Sequence, residues 1–408
     1  MQNEGSEATT TVGARGRPAA PELSVTLVLV MAIACGIAVA NLYYAQPLLD
    51  TLAHAFGVST GTAGLIVTLT QLGYALGLVF LVPLGDILNR RRLIVAIMLG
   101  TAAALAVAAE SPDIKVFLAA SLAMGTTSVV AMILVPFAAT LAQDYNRGRV
   151  VGQVMSGLLM GILLARTVSG FLADAAGWRA VFWVAAALML AQAAVLWRML
   201  PDVRSHSRLS YPALLVSVLP LLREEPVLRR RIVYGAAMFA TFSALWTCLP
   251  FLLSRPPYGY SDSVIGAFGL IGAVGALSAS AAGRMADRGW SRATTGAFLA
   301  TVLFSFWLMD VGSESLVAMI IGVALMDLGM QGTQITNQSE IYRLRPEARS
   351  RITTAYMTSF FLGGAVGSSL SAWLYQFYGW GGVCVLCMGF ALVALLFWVT
   401  EWRSKPAS

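Results

Sequence analysis

Long apolar stretches alternate with short polar connections along almost the whole chain. A membrane core about 30 Å thick is crossed by a helix of about 20 apolar residues, and twelve stretches are long enough. The chain is therefore predicted to be an all-α membrane protein with twelve transmembrane helices. The predicted spans are residues 24–46, 61–84, 93–109, 116–141, 150–173, 180–199, 232–253, 263–283, 293–309, 316–338, 352–376 and 380–400.

Polar landmarks repeat along the chain at a nearly constant spacing. Asp86 and Asp287 lie 201 residues apart, and Gly177-Trp178 precedes Gly379-Trp380 by 202. Six spans separate the members of each pair, so both halves enter the membrane in the same orientation, as in transporters with a site between parallel repeats. The predicted units are a disordered cytoplasmic tail (1–23), an N-terminal six-helix half (24–199), a cytoplasmic linker (200–231), a C-terminal six-helix half (232–401) and a cytoplasmic C-terminal tail (402–408).

Composition and charge support a membrane location. The chain is 58% hydrophobic and 12% charged, whereas soluble domains are about 25% charged. Of the 27 Lys and Arg residues, 23 fall in the terminal tails and the even-numbered loops. The positive-inside rule then predicts that both termini are cytoplasmic. The net charge of +7 is explained by this topology, with lipid headgroups as partners and no need for nucleic acid.

Several classes of function lack the residues that they require. The lysines Lys115 and Lys405 lie outside any Gly-rich phosphate loop, so nucleotide hydrolysis by that route is not expected. His54 and His206 are too far apart to indicate a metal site. An enzyme would need a convergent cluster of acid, nucleophile or metal ligands inside the membrane. We therefore expect no catalytic site, no metal and no cofactor.

Two cytoplasmic loops carry related motifs. The first reads Gly85-Asp86-Ile87-Leu88-Asn89-Arg90-Arg91-Arg92, and the second Gly283-Arg284-Met285-Ala286-Asp287-Arg288-Gly289-Trp290-Ser291-Arg292. Both resemble the inner-loop signature of the major facilitator superfamily. Asn41 to Leu49, Gln71-Leu72-Gly73-Tyr74 and Asn337-Gln338 resemble its twelve-span drug:proton antiporter branch.

The resemblance implies the major facilitator fold in a bacterial inner membrane, with transport by alternating access and a monomer as the working unit. It does not fix the substrate, because this fold serves many solutes. One position departs from the drug exporters, which often carry an arginine four residues before a glycine in span four. Here Ser121 stands four residues before Gly125.

The motif residues can form a latch between the halves. A carboxylate at the inner end of span two can reach the positive helix end of span eleven, and Asp287 can reach span five. Such contacts contribute about 0.3–2 kcal/mol each and would hold the inner side shut. The alternative is that these charges only orient the loops. The predicted inner-gate latch is Asp86, Arg90, Arg91, Asp287, Arg288 and Arg292.

Two charged residues lie inside predicted spans, Arg166 in span five and Asp327 in span ten. A charge within the membrane costs at least about 2.5 kcal/mol, so each needs a partner, a wet cavity or a function. The resemblance places Asp327 in a cavity lined by spans one, four, seven and ten. There it can exchange a proton or attract a cation, with Arg166 as its gate partner. The alternative is a structural ion pair between the two.

Polar and aromatic residues of the spans supply candidates for the rest of the cavity, although membrane aromatics more often serve packing. The leading prediction is proton-coupled efflux of small organic molecules, which could be cationic or amphipathic. Metabolite uptake or facilitated diffusion is the alternative, and a nontransporting sensor is less favoured because no loop is large enough for a sensory domain. The predicted cavity residues are Asn41, Tyr44, Gln71, Tyr74, Thr127, Trp246, Gln331, Gln334, Asn337 and Tyr356.

Overall fold

A computed structural model describes residues 24–143, 145–203, 211–275, 284–285, 288–345 and 348–403. Within these ranges the chain forms helices and turns and has no β-strand. The predicted N-terminal tail, residues 404–408 and Asp287 of the predicted latch lie outside the described residues.

The helices follow the predicted order of apolar stretches. The N-terminal half contains α1 (Val25–Ala40), α2 (Leu49–Phe56), α3 (Thr60–Phe80), a 3₁₀ segment (Val82–Asp86), α4 (Arg90–Ala109), α5 (Ile114–Thr127), α6 (Val130–Leu141), α7 (Arg147–Ala176) and α8 (Trp178–Met199). The linker contains α9 (Tyr211–Val216) and α10 (Val218–Glu224). The C-terminal half contains α11 (Pro226–Leu253), α12 (Asp262–Ala267), a 3₁₀ segment (Phe268–Gly272), α13 (Ser291–Val311), α14 (Leu316–Ile341) and α15 (Arg349–Arg403).

The number of spans is confirmed only in part. Among the described residues, nine helical segments are long and apolar enough to cross a membrane, and α15 is one of them. Gly379 within α15 has a non-helical backbone, so two helices meet there. Two shorter apolar helices, Val25–Ala40 and Asp262–Gly275, fall on the predicted first and eighth spans. Twelve spans therefore remain a prediction.

The repeated glycine landmarks have a structural cause. Gly177 has φ 81° at the junction of α7 and α8, and Gly379 has φ 61° inside α15. Positive φ is accessible to glycine at little cost, so each glycine lets one helix end and the next begin at once. Each tryptophan that follows is buried, and Trp380 Nε1 donates to the carbonyl of Met309 at 3.1 Å. The two landmarks are thus equivalent helix junctions.

The most extensive packing between the two halves involves two pairs of helices. In one pair, α3 lies against the first part of α15, and Thr68 and Ser368 share a hydrogen bond of 2.9 Å. In the other, α7 packs on α12, with Gly170 against the backbone of Asp262. Small residues allow backbones to approach closely within a membrane. The candidate site lies between the second of these pairs and α14.

Reciprocal hydrogen bonds bridge the two halves at one end of the bundle. Thr51 Oγ1 lies 2.9 and 2.8 Å from the two carboxylate oxygens of Asp262, and the backbone N–H of Ser263 donates to Asp174 Oδ2 at 3.0 Å. Each half thus contributes a carboxylate that binds the other half. We call this the Asp262 end, and the opposite end, where Asp86 lies, the Asp86 end.

Candidate functional site

Arg166 lies on α7 at the contact between the two halves. Its side chain is only 3% exposed, and its Nε donates to Oε1 of Gln46 at 2.7 Å. The position faces α12 and the following 3₁₀ segment, where the missing side chain of Gly269 leaves room. A methyl group added at Gly269 would lie 3.0 Å from Cβ of Arg166. The arginine therefore occupies a space that glycine keeps open.

Three aromatic rings surround the guanidinium of Arg166. Its central carbon lies 4.0 Å from the ring centroid of Trp246, 4.7 Å from that of Tyr43 and 5.3 Å from that of Phe242. Phe242 and Trp246 are four residues apart on α11 and so share one helix face. A buried cation gains cation–π energy from such rings, about 2 kcal/mol or more where water is excluded. The rings thus hold the charge in place of a direct counter-ion.

Asp327 lies on α14 with its carboxylate against the 3₁₀ segment of the eighth predicted span. It is 4% exposed, and a methyl group added at Gly272 would lie 3.0 Å from its Oδ2. Within the described part of the chain, its carboxylate makes no hydrogen bond and no ion pair shorter than 4.0 Å. Arg166 is near enough to act on it electrostatically. The two membrane charges are therefore neighbours without being in contact.

A row of four glycines connects the two charges. Gly266, Gly269, Gly272 and Gly275 recur every third residue. Gly269 and Gly272 belong to the 3₁₀ segment, where three residues per turn align positions i and i+3. Gly266 lies against the backbone carbonyl of Arg166 and Gly275 against that of Asp327, whereas Gly269 faces the side chain of Arg166 and Gly272 the carboxylate of Asp327. The two central glycines therefore lie against the two charged side chains.

Several buried polar atoms in this region lack a hydrogen bond. Among the described residues they include the donors Nη2 of Arg166, Nε2 of Gln46 and Nε1 of Trp246. Burying a donor without a partner costs about 1–3 kcal/mol, and such groups in a native protein call for an explanation. Three of them in one contact cluster indicate a site whose partner is supplied from outside the chain.

The other residues predicted for the cavity in the N-terminal half have different partners. Gln71 donates to Ser243 Oγ across the halves at 3.4 Å, and the ring of Tyr74 packs on Phe361, with centroids 4.2 Å apart. The backbone carbonyl of Tyr44 accepts from Ser169, and Asn41 donates to the carbonyl of Ala38. Thr127 instead packs against Gly100 of α4. The structure does not bring Thr127 together with the central charges.

The predicted cavity residues of the C-terminal half form two groups. Gln331 is close to Asp327, since its Cγ would lie 3.0 Å from a methyl group at Gly275. Tyr356 instead donates to Gln334 Oε1 at 2.6 Å and accepts from Asn337 Nδ2 at 3.1 Å. Asn337 continues this network to Arg231. The hydroxyl of Tyr356 is thus engaged within its own half.

The residues predicted for the latch are dispersed at the Asp86 end. Asp86 lies 3.6 Å from Arg90, and both line a cavity of about 70 Å³ that also contacts Arg351 at the start of α15. The remaining arginines have other positions. Arg91 stacks on Trp197 at 4.5 Å, Arg292 lies 3.7 Å from Glu401, and Arg288 is exposed.

Sequence reasoning missed four residues of the central site: Tyr43, Gln46, Phe242 and Gly272. Residues 41–48 are mostly apolar but form turns after α1 ends at Ala40, so helical spacing could not show that Tyr43, rather than Tyr44, faces Arg166. Two signals were present in the sequence. Phe242 precedes Trp246 by one helical turn, and the glycines repeat every third residue from Gly266.

Comparison with known proteins places this arrangement among membrane transporters. Residues 30–367 match the model of the Major Facilitator Superfamily. The chain is 53% identical to the transporter YgaY of Escherichia coli K12, over 94% of this chain and 96% of that one. It is 35% identical to the transporter SCO4007 of Streptomyces coelicolor, over 87% and 83% of the two chains.

A solved structure shows the same fold at low sequence identity. A bacterial homologue of the human lysosomal transporter Spinster, in an inward-facing and unoccupied conformation, aligns with a TM-score of 0.76 at 15% identity. The alignment covers 94% of this chain and 99% of that one. At this identity the match supports the fold and leaves the substrate open.

Proposed function

The chain belongs to the Major Facilitator Superfamily, and from this premise we propose that it couples a proton carried by Asp327 to the efflux of a small organic molecule. It is an integral membrane transporter of small molecules and not an enzyme. The proposal concerns the driving ion, the direction and the residues that couple them.

The observation that carries the proposal is the state of the Asp327 carboxylate. Within the described part of the chain, it is buried without a hydrogen bond and without an ion pair to Arg166. Ionisable groups inside the membrane mark proton relays and substrate pathways, because a merely structural charge would be paired. A carboxylate that no neighbour holds in one protonation state is suited to gain and lose a proton during the transport cycle.

During alternating access, this carboxylate would be accessible first from one side of the membrane and then from the other. Hydrogen bonds between the halves bridge the Asp262 end, and rocking of the halves would open one end of the bundle while it closes the other. We propose that Asp86, with Arg90, Arg91 and the equivalent loop residues Asp287, Arg288 and Arg292, latches the Asp86 end. Asp86 and Arg351 share a cavity there, which supports this assignment.

Topology and assembly complete the proposal. The bacterial relatives support a bacterial inner membrane location. The arginine distribution supports a cytoplasmic position for both termini, which makes the Asp262 end the outer end. The protein is proposed to work as a monomer, since both halves of the site come from one chain. Lipid headgroups would contact the basic inner loops.

Uptake or facilitated diffusion is the second candidate, and the unpaired donors around Arg166 favour it. An anion bound near Asp327 would favour the protonated form of that carboxyl by like-charge repulsion. Proton and substrate would then bind together and move in the same direction. A cationic substrate would compete with the proton, as antiport requires.

Proton movement in everted membrane vesicles separates these candidates. The wild type would be compared with Asp327→Asn and with the control Asp310→Asn, while organic cations, anions and neutral metabolites are added. Substrate-dependent release of protons from the vesicles, lost only in Asp327→Asn, would support antiport. Proton uptake with the solute would support symport. Solute equilibration without any proton signal in all three proteins would overturn proton coupling at Asp327.

A further inference from the structure

We propose that Arg166, Gln46 and Trp246 form a binding subsite for the anionic group of an organic substrate, a carboxylate in the first instance. The inference rests on the proposed transport function, and because an anion near Asp327 favours movement together with the proton, it supports the uptake candidate over efflux. The juxtaposition that carries it is three unpaired hydrogen-bond donors in a single buried cluster.

The donors belong together because two of the side chains contact the guanidinium of the third. Gln46 accepts from Arg166 Nε through Oε1, which leaves its amide N–H groups without a described partner. The indole of Trp246 stacks on the same guanidinium at 4.0 Å, and its N–H is unpaired as well. Arg166 Nη2 is the charged member. All three groups only donate in this arrangement, so their missing partner must be an acceptor.

A carboxylate fits this set better than a neutral acceptor does. Guanidinium groups bind carboxylates through two parallel N–H···O bonds, and charge-assisted hydrogen bonds are about twice as strong as neutral ones. Arg166 also lacks a contacting counter-ion among the described residues, because Asp327 lies on the far part of the glycine row. A bound anion would supply that missing charge.

The surroundings indicate that the anion has an apolar body. Phe242, which contacts Arg166, stacks on Phe239 with centroids 5.5 Å apart, and Phe239 stacks on Phe360 at 4.0 Å. Phe361 and Tyr74 extend this cluster across to the N-terminal half. Aromatic side chains with a few convergent polar groups are typical of small-molecule sites. An aromatic or branched organic acid would place its charge at Arg166 and its body on these rings.

A purely structural Arg166 is the competing explanation, in which the rings and Gln46 satisfy the charge and no ligand binds. A cationic substrate is the other competing explanation, since aromatic rings also bind cations. In this structure, however, the rings are already occupied by the guanidinium of Arg166, which would repel a second cation. The three explanations differ in which member of a matched ligand series binds.

Equilibrium binding to the purified full-length protein tests the subsite without any need for transport. The probes are benzoate, phenylacetate and cinnamate, each compared with its neutral amide and with benzylamine, and the readouts are ligand-dependent thermal stabilisation and calorimetry. In the wild type we expect at least one carboxylate to bind about 10-fold or more tightly than its amide. Asp327→Asn should keep this preference, so loss of proton coupling and loss of the subsite can be distinguished.

Variants of the cluster assign the preference to its residues. Arg166→Gln should abolish the preference for carboxylate over amide, and Trp246→Phe, which keeps the ring but removes the N–H, should weaken carboxylate binding several-fold. Arg179→Gln is the matched control, because Arg179 also stacks on a tryptophan, at 4.2 Å from Trp178, and lies outside the site. Should Arg166→Gln not fold, Arg166→Lys and Trp246→Phe still report, since both alter the donors and retain the charge.

Two sets of results would overturn the inference. One is that no carboxylate in the series binds more tightly than its amide, or that benzylamine binds best. The other is that the carboxylate preference survives in Arg166→Gln or falls equally in Arg179→Gln. Best binding of benzylamine would support a cationic substrate, and each of the other results would leave Arg166 with a structural role.

Discussion

Thr51 of the N-terminal half donates its hydroxyl hydrogen to the carboxylate of Asp262 in the C-terminal half, with O···O distances of 2.9 and 2.8 Å. A second carboxylate, Asp174, accepts from the backbone of Ser263 in the opposite sense. These bonds exist only while the Asp262 end is closed, so they bias the balance between the two states of the transporter.

We predict that Asp262→Ala opens the Asp262 end. A hydrogen bond to a charged group contributes about 1.5–3 kcal/mol, and 1.4 kcal/mol is a tenfold change in an equilibrium. The reporter is a cysteine at Thr68, which meets Ser368 across the interface. Because the opened state becomes more populated, labelling of this cysteine by a maleimide should rise about 10-fold or more. The native cysteines are buried and should add little background labelling.

The control for this experiment is Glu314→Gln, which removes an exposed carboxylate at the same end of the bundle. Labelling of the Thr68→Cys reporter should not change in the control. Equal labelling of the Asp262→Ala and Glu314→Gln proteins would show that the Thr51–Asp262 bond does not hold the end closed.

Gly272→Ala should impair transport while leaving the fold intact. The new methyl group would lie 3.0 Å from Oδ2 of Asp327, which is tighter than ordinary van der Waals contact, so the carboxylate or the 3₁₀ segment must shift. We expect the transport rate to fall about 10-fold, since misplacing a functional group by about 1 Å can cost 100-fold. Uptake of a labelled substrate into vesicles is the measurement.

Gly389→Ala provides the matched comparison, because nothing lies within 4 Å of a methyl group there. It should transport normally and gain up to about 1 kcal/mol of stability from the better helix propensity of alanine. Normal transport by Gly272→Ala would mean that the carboxylate does not depend on the open edge of this helix.

Arg166 and Asp327 should show a measurable but moderate coupling energy. They interact electrostatically without an ion pair below 4.0 Å in the described structure, so we expect about 1–2 kcal/mol rather than the 3–5 kcal/mol lost when a contacting buried pair is broken. The measurement is a double-mutant cycle of unfolding in detergent with Arg166→Gln and Asp327→Asn.

A second cycle with Arg179→Gln in place of Arg166→Gln should be additive, because Arg179 bonds to the backbone of Ser111 away from Asp327. Additivity in both cycles would exclude the predicted gate pair. A coupling of 3 kcal/mol or more would instead support the structural ion pair that the sequence left open. Reversing both charges, with Arg166→Asp and Asp327→Arg, should restore function only if the two residues pair during the cycle.

The sequence predicted the positions of the helices better than it predicted the contacts within the central site. The apolar stretches located nearly every helix, and the charges of Arg166 and Asp327 stood out because charges are rare within spans. The partners of Arg166 could not be predicted, since Gln46 and Trp246 come from different halves and meet only through tertiary packing. Turns within the first predicted span also break the helical spacing that would distinguish Tyr43 from Tyr44.

Asp86→Asn should act in the opposite sense to Asp262→Ala. Asp86 lies beside the start of α15, and a carboxylate at a helix N-terminus contributes about 0.3–2 kcal/mol, so its loss should favour opening of the Asp86 end. A cysteine at Thr354, which lines the same cavity, should then be labelled about 2-fold to 30-fold faster from the cytoplasmic side. Asp202→Asn serves as control, because Asp202, at the start of the linker, accepts a hydrogen bond from Asn89 and does not bridge the two halves. Because opening one end requires closing the other, Asp262→Ala should slow labelling at Thr354→Cys. If Asp86→Asn and Asp262→Ala change this rate in the same direction, the two carboxylates do not act as opposing latches.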